Sequence, residues 1–282
     1  RSIIARIEAG TMPVVAAIHG NALGLGLEFA MSCHYRVASP GARLGLPEVK
    51  LGLLPGGGGT QRLPRLVGAQ AALRMITTGD AVDSREALEL GLIDELIEGD
   101  LVEGAVAFAR RIVSQAPHRV TSRMRAEPVD TEGSTTAFFA AQRAVLERDR
   151  RGLAAPRECL ACVEAAYRLP FDEGMAFERE RFDVLVNSVE SKAMRHLFFA
   201  ERAAARVEGV APDTAQRPIR HVAVLGAGTM GGGIAMNFAS AGFQVSLIES
   251  KPEALERGLG NIRKNYASTV SKGRLSQADV DA

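Results

Sequence analysis

The sequence predicts an α/β fold built from more than one domain. Three observations carry that expectation. Short β-branched runs alternate with segments of helical period, glycine-rich turns stand between them, and a Gly- and Pro-containing stretch near residue 210 separates two such regions. At 282 residues the chain also exceeds the usual size of a single domain.

Residues 1–12 read as the end of an amphipathic helix, stopped at Met12-Pro13 because the residue before proline is pushed out of helical backbone. Residues 14–18 (Val-Val-Ala-Ala-Ile) form a short apolar run of the kind that makes a buried strand. A glycine-rich turn over 19–26 leads into a helix at 27–33 and a strand at 35–38. Residues 43–54 read as short and extended, ending at the loop of Pro55 and four glycines, Gly56 to Gly59. That loop lacks the Gly-Lys-Ser/Thr ending of a phosphate loop and reads as a backbone turn. Helices and short motifs alternate from 60 to about 115. Residues 117–157, richer in Arg, Thr and Pro, are expected to hold a mobile connection, and 156–208 to be helical, with the charge run at 178–181 as a solvated face. Residues 209–218 read as a linker.

Composition narrows the function. A formal net charge of +1, no Trp and 5% aromatic residues offer neither a field nor stacking platforms for nucleic acid. The apolar runs fall far short of the ~20 residues that a membrane span needs. The chain opens on Arg1 in what reads as mid-helix, so it is expected to be an internal fragment, with uncovered strand edges and poor solubility in isolation. Cys159 and Cys162 form a C-x-x-C pair, but no further ligands stand nearby for a structural metal, and helical spacing places both in a core. His19, His34, His118, His196 and His221 show no metal spacing and read as structural, so no metal is expected.

After the linker comes a strand over 220–225, then Gly226-Ala227-Gly228-Thr229-Met230-Gly231, a helix to about 241, and a strand over 244–248 ending at Glu249. This order fits the dinucleotide turn. Gly226 permits the tight turn, Gly228 lets backbone approach a pyrophosphate, and Gly231 lets helix and strand pack closely. The pyrophosphate would sit at the helix start beside Thr229 and Met230, where unpaired N–H groups and the helix dipole favour negative charge. An acid at 249 binds a ribose hydroxyl and repels a 2′-phosphate, which favours NAD over NADP. Roughly sixty residues follow the linker, too few for a complete domain of this type, so a hydride-transfer catalyst is expected beyond residue 282.

The first region carries Glu28 on the opening of a helix and Glu48 after a short strand. Taken singly, each glutamate reads as an ordinary surface carboxylate. Together they match a chemistry. Adding water across a double bond conjugated to a thioester needs a base for the water, an acid for the α-carbon and donors for the enolate oxygen.

The wider pattern settles the choice. The stretch 16–31, with Gly24, Gly26 and Glu28, continues to Leu46-Pro-Glu-Val-Lys-Leu-Gly-Leu-Leu-Pro-Gly-Gly-Gly-Gly-Thr-Gln-Arg-Leu63 and resembles the crotonase (enoyl-CoA hydratase/isomerase) superfamily. Residues 171–182 resemble the segment that joins hydratase to dehydrogenase in multifunctional enzymes of fatty-acid β-oxidation, and the turn at 226–231 resembles that of 3-hydroxyacyl-CoA dehydrogenases. The resemblance implies a crotonase-like ββα spiral at 1–122, lacking its N-terminal part, a helical connector at 123–216, and the start of a Rossmann-type NAD-binding domain at 217–282. It implies that Glu28 deprotonates water, that Glu48 exchanges the proton at the α-carbon, and that the backbone N–H of Leu25 serves the oxyanion. Leu25 departs from the glycine usual there, adding bulk and restricting the backbone, and the family's second oxyanion donor is expected upstream of residue 1. A coenzyme A thioester as substrate, NAD as cofactor, and a homo-oligomer or a thiolase as partner follow from the same likeness. So does a bacterial cytoplasm, with the peroxisome as the other compartment. The reading the resemblance implies is hydration of trans-2-enoyl-CoA to 3-hydroxyacyl-CoA followed by NAD-dependent oxidation to 3-ketoacyl-CoA. Three others compete with it: a Δ3-Δ2-enoyl-CoA isomerase, a non-catalytic scaffold on a degenerate crotonase fold, and a dehydrogenase with an unrelated first domain.

Overall fold

A computed structural model describes residues 2–114, 121–124, 136–204, 206–211, 213–215 and 217–281. The chain divides into two compact units, Arg1–Val207 and Glu208–Ala282. In the first, the order is α1 (Ser2–Glu8), β1 (Val15–Ile18), β2 (Asn21–Leu23), α2 (Leu25–Ser32), β3 (Tyr35–Ala38), β4 (Arg43–Gly45) and a 3-10 turn (Pro47–Leu51). Then come α3 (Gly59–Arg62), α4 (Pro64–Thr78), β5 (Val82–Asp83), α5 (Ser84–Glu89), β6 (Glu95–Leu96) and α6 (Leu101–Val113). Among the described residues a second 3-10 turn (Ser122–Met124) and four helices follow: α7 (Thr136–Asp149), α8 (Ala155–Arg168), α9 (Phe171–Asn187) and α10 (Val189–Ala204).

The strands form two small sheets because the chain makes the same corner twice. From β1 it passes at Gly20 into β2, and from β3 it passes near Gly41 into β4; both glycines have positive φ, 60° and 80°. β1 and β3 then pair in parallel in one sheet, with β6 beside β3. β2 and β4 pair in parallel in the other, closed by antiparallel β5. This repeated step is the ββα spiral expected of the fold.

Among the described residues the larger of two apolar clusters runs from these layers into the later helices, and a smaller one joins Val37, Ile97, Phe108 and Ile112. Leu27 and Met31 of α2, Leu44, Leu54 and Leu63, and Met75 and Ile76 of α4 meet Cys159, Leu160, Cys162 and Val163 of α8 and Leu185 of α9. The helices expected to act as a connector are therefore packed on the hydratase-like layers. Both cysteines of the C-x-x-C pair are free and buried, and burial pushes their thiols far up. Arginines stitch the unit. Arg36 donates to the carbonyls of Leu92 (2.7 Å) and Cys33 (3.0 Å), Arg65 to those of Gln61 and Ala166, and Arg62 to Glu8 (2.8 Å).

Several expectations change. The turn at 19–26 contains β2, and the helix after it begins at Leu25. The stretch 43–54 is extended only to Gly45 and then coils into the 3-10 turn, because Pro47 fixes a helical φ where it starts. Within the span read as a mobile connection, α7 is helical and buries Phe139. The rest of that span around 125–135, with His118, lies outside the described residues. In the charge run at 178–181, Arg179 and Glu180 are exposed as expected, but Glu178 is fully buried, since α9 packs against α3 and α8 where backbone N–H groups need an acceptor. His34 accepts the N–H of Val14 at 3.2 Å and His221 meets Ser246 at 3.1 Å; among the described residues no group of His, Cys, Asp and Glu is arranged to hold a metal.

In the second unit β7 (His221–Leu225) pairs in parallel with β8 (Gln244–Ile248). Between them runs α11 (Thr229–Ser240), and α12 (Pro252–Ser271) and α13 (Gln277–Asp281) follow. The crossover helix α11 packs on both strands and on α12. Among the described residues no helix is long and apolar enough to cross a membrane.

The Arg62–Glu8 pair is buried at both ends. Removing one partner of such a pair leaves a charge without compensation, so Glu8→Ala is expected to lower stability by about 3 kcal/mol or more. Urea unfolding followed by circular dichroism checks this. An unchanged midpoint would show that the pair contributes nothing.

Candidate active site

Glu28 enters one turn into α2, whose N-cap is Gly24 with φ 57°. Its carboxyl is 2% exposed and faces the loop after Pro55. There Oε1 accepts the N–H of Gly57 at 2.8 Å and of Gly59 at 2.7 Å. The glycines are needed for this approach: a Cβ on Gly57 would stand 2.5 Å from Oε2, and one on Gly59 would stand 2.8 Å from Oε1. Burial raises the pKa of Glu28, while the two amides and Arg62 oppose it by stabilising the anion.

Glu48 sits at the start of the 3-10 turn, half-buried, in a poorer environment. Its Oε2 is buried without a partner, and its Oε1 lies beside the helix start, 3.0 Å from where a Cβ on Gly24 would be. Burial, and then the charge of Glu28, push its pKa up to about 7. One carboxyl is held by two amides of the glycine loop, whereas the other has one oxygen unpartnered and only its own backbone N–H as donor, so the environments favour unlike protonation states on neighbouring groups.

Both carboxyls line a cavity of about 880 Å³, together with Leu25, Leu53, Gly57 and Phe182. Leu25 is the first residue of α2, so its N–H has no carbonyl within the helix to bond. Its side chain is 65% exposed and its φ is negative, as for every described residue other than glycine. The backbone restriction expected of a leucine here therefore brings no strain.

Sequence reasoning missed a third carboxyl. Glu178 accepts the N–H of Gly58 at 2.8 Å, the N–H of Thr60 at 3.2 Å and the hydroxyl of Thr60 at 2.5 Å. Burial and the charge of Glu28 push its pKa up to about 8. The signal was present in the helical period: Phe171, Gly174, Glu178 and Leu185 form the buried stripe of α9.

In the second unit the turn after β7 has the expected form. Gly226 has φ 97°, and Gly228 caps α11, whose first residues Thr229 and Met230 are exposed. An added Cβ on Gly226 or Gly228 would meet nothing within 4 Å, which leaves an open side for a pyrophosphate. On Gly231 it would collide with the carbonyl oxygen of Gly226, so helix and turn pack as a dinucleotide fold requires. Glu249, just past β8, accepts the N–H of Ala227 at 3.0 Å and that of Ser250 at 2.8 Å, and these bonds lower its pKa. The residues present fit NAD.

The first unit is thus an α/β spiral that brings two carboxyls of unlike environment to one cavity beside a helix start. The chain belongs to the enoyl-CoA hydratase/isomerase family, which it matches over residues 2–149. Residues 221–282 match the NAD-binding domain of 3-hydroxyacyl-CoA dehydrogenase. It is similar to a peroxisomal bifunctional enzyme of Cavia porcellus, 42% identical over 278 residues that cover 96% of this chain and 38% of that one. A glyoxysomal fatty acid beta-oxidation multifunctional protein of Brassica napus is 37% identical over 273 residues, 96% of this chain and 38% of that one. A solved enoyl-CoA hydratase subunit of Geobacillus kaustophilus is 31% identical, with 71% of this chain and 64% of that one covered and a TM-score of 0.39. The chain spans about 38% of the length of the first two relatives.

The raised carboxyls give a pH dependence. Folded Glu48 and Glu178 hold protons up to about 7 and about 8, whereas their ordinary value is 4.5. Their contribution to stability is full below about pH 4.5 and is lost as pH rises through those folded values. The melting temperature is expected to fall from about pH 5 to about pH 9, less steeply for Glu48→Gln. Identical slopes for wild type and variant would contradict the raised pKa of Glu48.

Proposed function

We propose that the chain hydrates trans-2-enoyl-CoA to 3-hydroxyacyl-CoA, and that its second unit holds NAD for the oxidation to 3-ketoacyl-CoA that follows in fatty-acid β-oxidation. One observation carries the reading: Glu28 and Glu48 share a cavity in unlike environments, beside the helix start at Leu25. Glu28, its Oε1 occupied by two amides, orients a water and takes its proton. The water oxygen bonds to C3 of the enoyl group. Glu48, which holds a proton to about pH 7, delivers it to C2, and the two glutamates exchange roles in the reverse direction. Charge that develops on the thioester oxygen meets the N–H of Leu25 at the positive end of α2.

In the second unit the amides at Gly228, Thr229, Met230 and Gly231 would hold the pyrophosphate, the bare turn at Gly226 would admit it, and Glu249 would take the ribose. NAD bound there would supply the acceptor for the hydride of the hydroxyl-bearing C3, the hydroxyl proton leaving to a base.

The proposal assigns 1–122 to hydration, 123–216 to a connector and 217–282 to the NAD-binding part of the dehydrogenase. A second copy of the chain or a thiolase is the proposed partner. The compartment is a bacterial cytoplasm or a peroxisome, and the names of the relatives support the second. A double-bond shift between positions 3 and 2 needs one shuttling carboxyl, so a pair of them favours hydration. A non-catalytic scaffold has no use for two buried carboxyls aimed at one cavity.

Hydration is followed by loss of the conjugated-thioester absorbance. Glu48→Gln is expected to lower turnover by about a hundredfold or more, the scale of a general acid–base group. Glu28→Gln should abolish hydration while sparing the shift of a 3-enoyl-CoA. Unchanged turnover in the Glu48 variant would remove the assignment. Gly231→Ala should abolish the fluorescence enhancement of NADH on binding, and an unchanged titration would contradict the dinucleotide site.

A further inference from the structure

We propose that Glu178 is a positioning residue for hydration, holding the back of the Gly57–Thr60 loop from α9 so that the loop's other amides meet Glu28. This rests on the reading of Glu28 as the base for water. The loop's consecutive N–H groups alternate between the two carboxyls. Those of Gly57 and Gly59 go to Glu28, and those of Gly58 and Thr60 go to Glu178. Four successive donors are thus divided between one carboxyl that faces the cavity and one that is fully buried behind the loop.

The carbonyl of Gly58 is held by the N–H groups of Gln61 and Arg62, but the loop's own N–H groups need acceptors from elsewhere. Gly58 lies in left-handed backbone with φ 100° and offers no side chain to cap α3. Glu178 supplies the acceptor that such a helix start lacks. The clamp continues around it: the Thr60 hydroxyl donates to Glu178 and accepts from Gln61 Nε2 at 3.1 Å, and that amide also donates to the carbonyl of Cys162 at 2.9 Å. Arg62 fixes the remaining side by donating to the carbonyl of Gly57 at 2.8 Å.

Glu178 does not line the cavity, so it acts through Glu28. Its helix does line the cavity: Met175, Arg179 and Phe182 of α9 form part of the wall, and the Phe182 ring lies against Gly56 so closely that a Cβ there would stand 2.6 Å away. The segment after the hydratase layers is on this account a working part of the hydration site.

The test compares kcat and KM for a short enoyl-CoA in the wild-type protein, Glu178→Ala, Glu178→Gln, Glu28→Gln and the double variant Glu28→Gln/Glu178→Ala. Released from its clamp, the loop should misplace the base, and misplacement by ~1 Å costs about a hundredfold. Glu178→Ala is therefore expected to lose about a hundredfold in kcat with KM within about threefold of wild type. Glu178→Gln keeps one acceptor, but its NH2 cannot accept the N–H of Thr60 as the second carboxyl oxygen does, and it should lose about tenfold. In the Glu28→Gln background, Glu178→Ala should lower the residual rate little further, because both changes act through one group. A folded Glu178→Ala protein with wild-type kcat, beside an inactive Glu28→Gln, overturns the positioning role and leaves the hydration reading intact. Wild-type kcat in Glu28→Gln overturns the hydration reading itself. If Glu178→Ala does not fold, Glu178→Gln decides alone: a kcat loss near tenfold at unchanged KM supports the role, and wild-type kcat overturns it.

Discussion

Four consecutive backbone N–H groups, from Gly57 to Thr60, allow two carboxyls to be buried on either side of one loop. An ionised carboxylate moved into an apolar interior without partners costs far more than one hydrogen bond returns, so it would take a proton or swing out to water. Bonds to charged acceptors contribute about 1.5–3 kcal/mol each, enough for a pair of amides to offset much of the burial of Glu28. The run of glycines follows from this. A side chain at Gly57 or Gly59 would occupy the space of the carboxyl, and only glycine takes the left-handed turn at Gly58 at low cost.

The contrast with Glu48 is the chemical content of the site. Glu48 follows β4, the neighbour in the same sheet of the β2 strand that leads to Glu28, and reaches the same cavity with one oxygen unpartnered. Two like groups in one small space separate in pKa when one is given more donors than the other. Here α2 and the 3-10 turn bring them together, and the corners at Gly20 and Gly41 place those two elements side by side.

Much of this was legible in the sequence because it is local. The parallel pair around the dinucleotide turn, the helix that carries Glu28 and the strand at Tyr35–Ala38 follow from short-range period and glycine position. Strands of two or three residues, such as Val82–Asp83 and Glu95–Leu96, are too short to show a period, and pairing partners far along the chain create them. Glu178 was hidden for another reason. Beside Arg179, Glu180 and Arg181 it looks like part of a solvated charge run, and only its place on the stripe with Phe171 and Gly174 marks it as inward-facing. Its acceptors' partners lie 118 and 120 residues away, a distance that no local pattern spans. The fate of Leu25 was likewise a tertiary matter, since ordinary φ at that position depends on how Gly24 turns the chain.

The central claim is that two carboxyls on one cavity hold unlike protonation states because their partners differ. Its most direct measurement is a carbon-13 NMR titration of the glutamate side-chain carboxyls in wild-type protein and in Glu28→Gln. The account predicts that Glu48 titrates at about 7 and moves down toward 4.5 when the charge of Glu28 is removed. A Glu48 carboxyl that titrates near 4.5 in the wild-type protein, or one indifferent to Glu28, would contradict it.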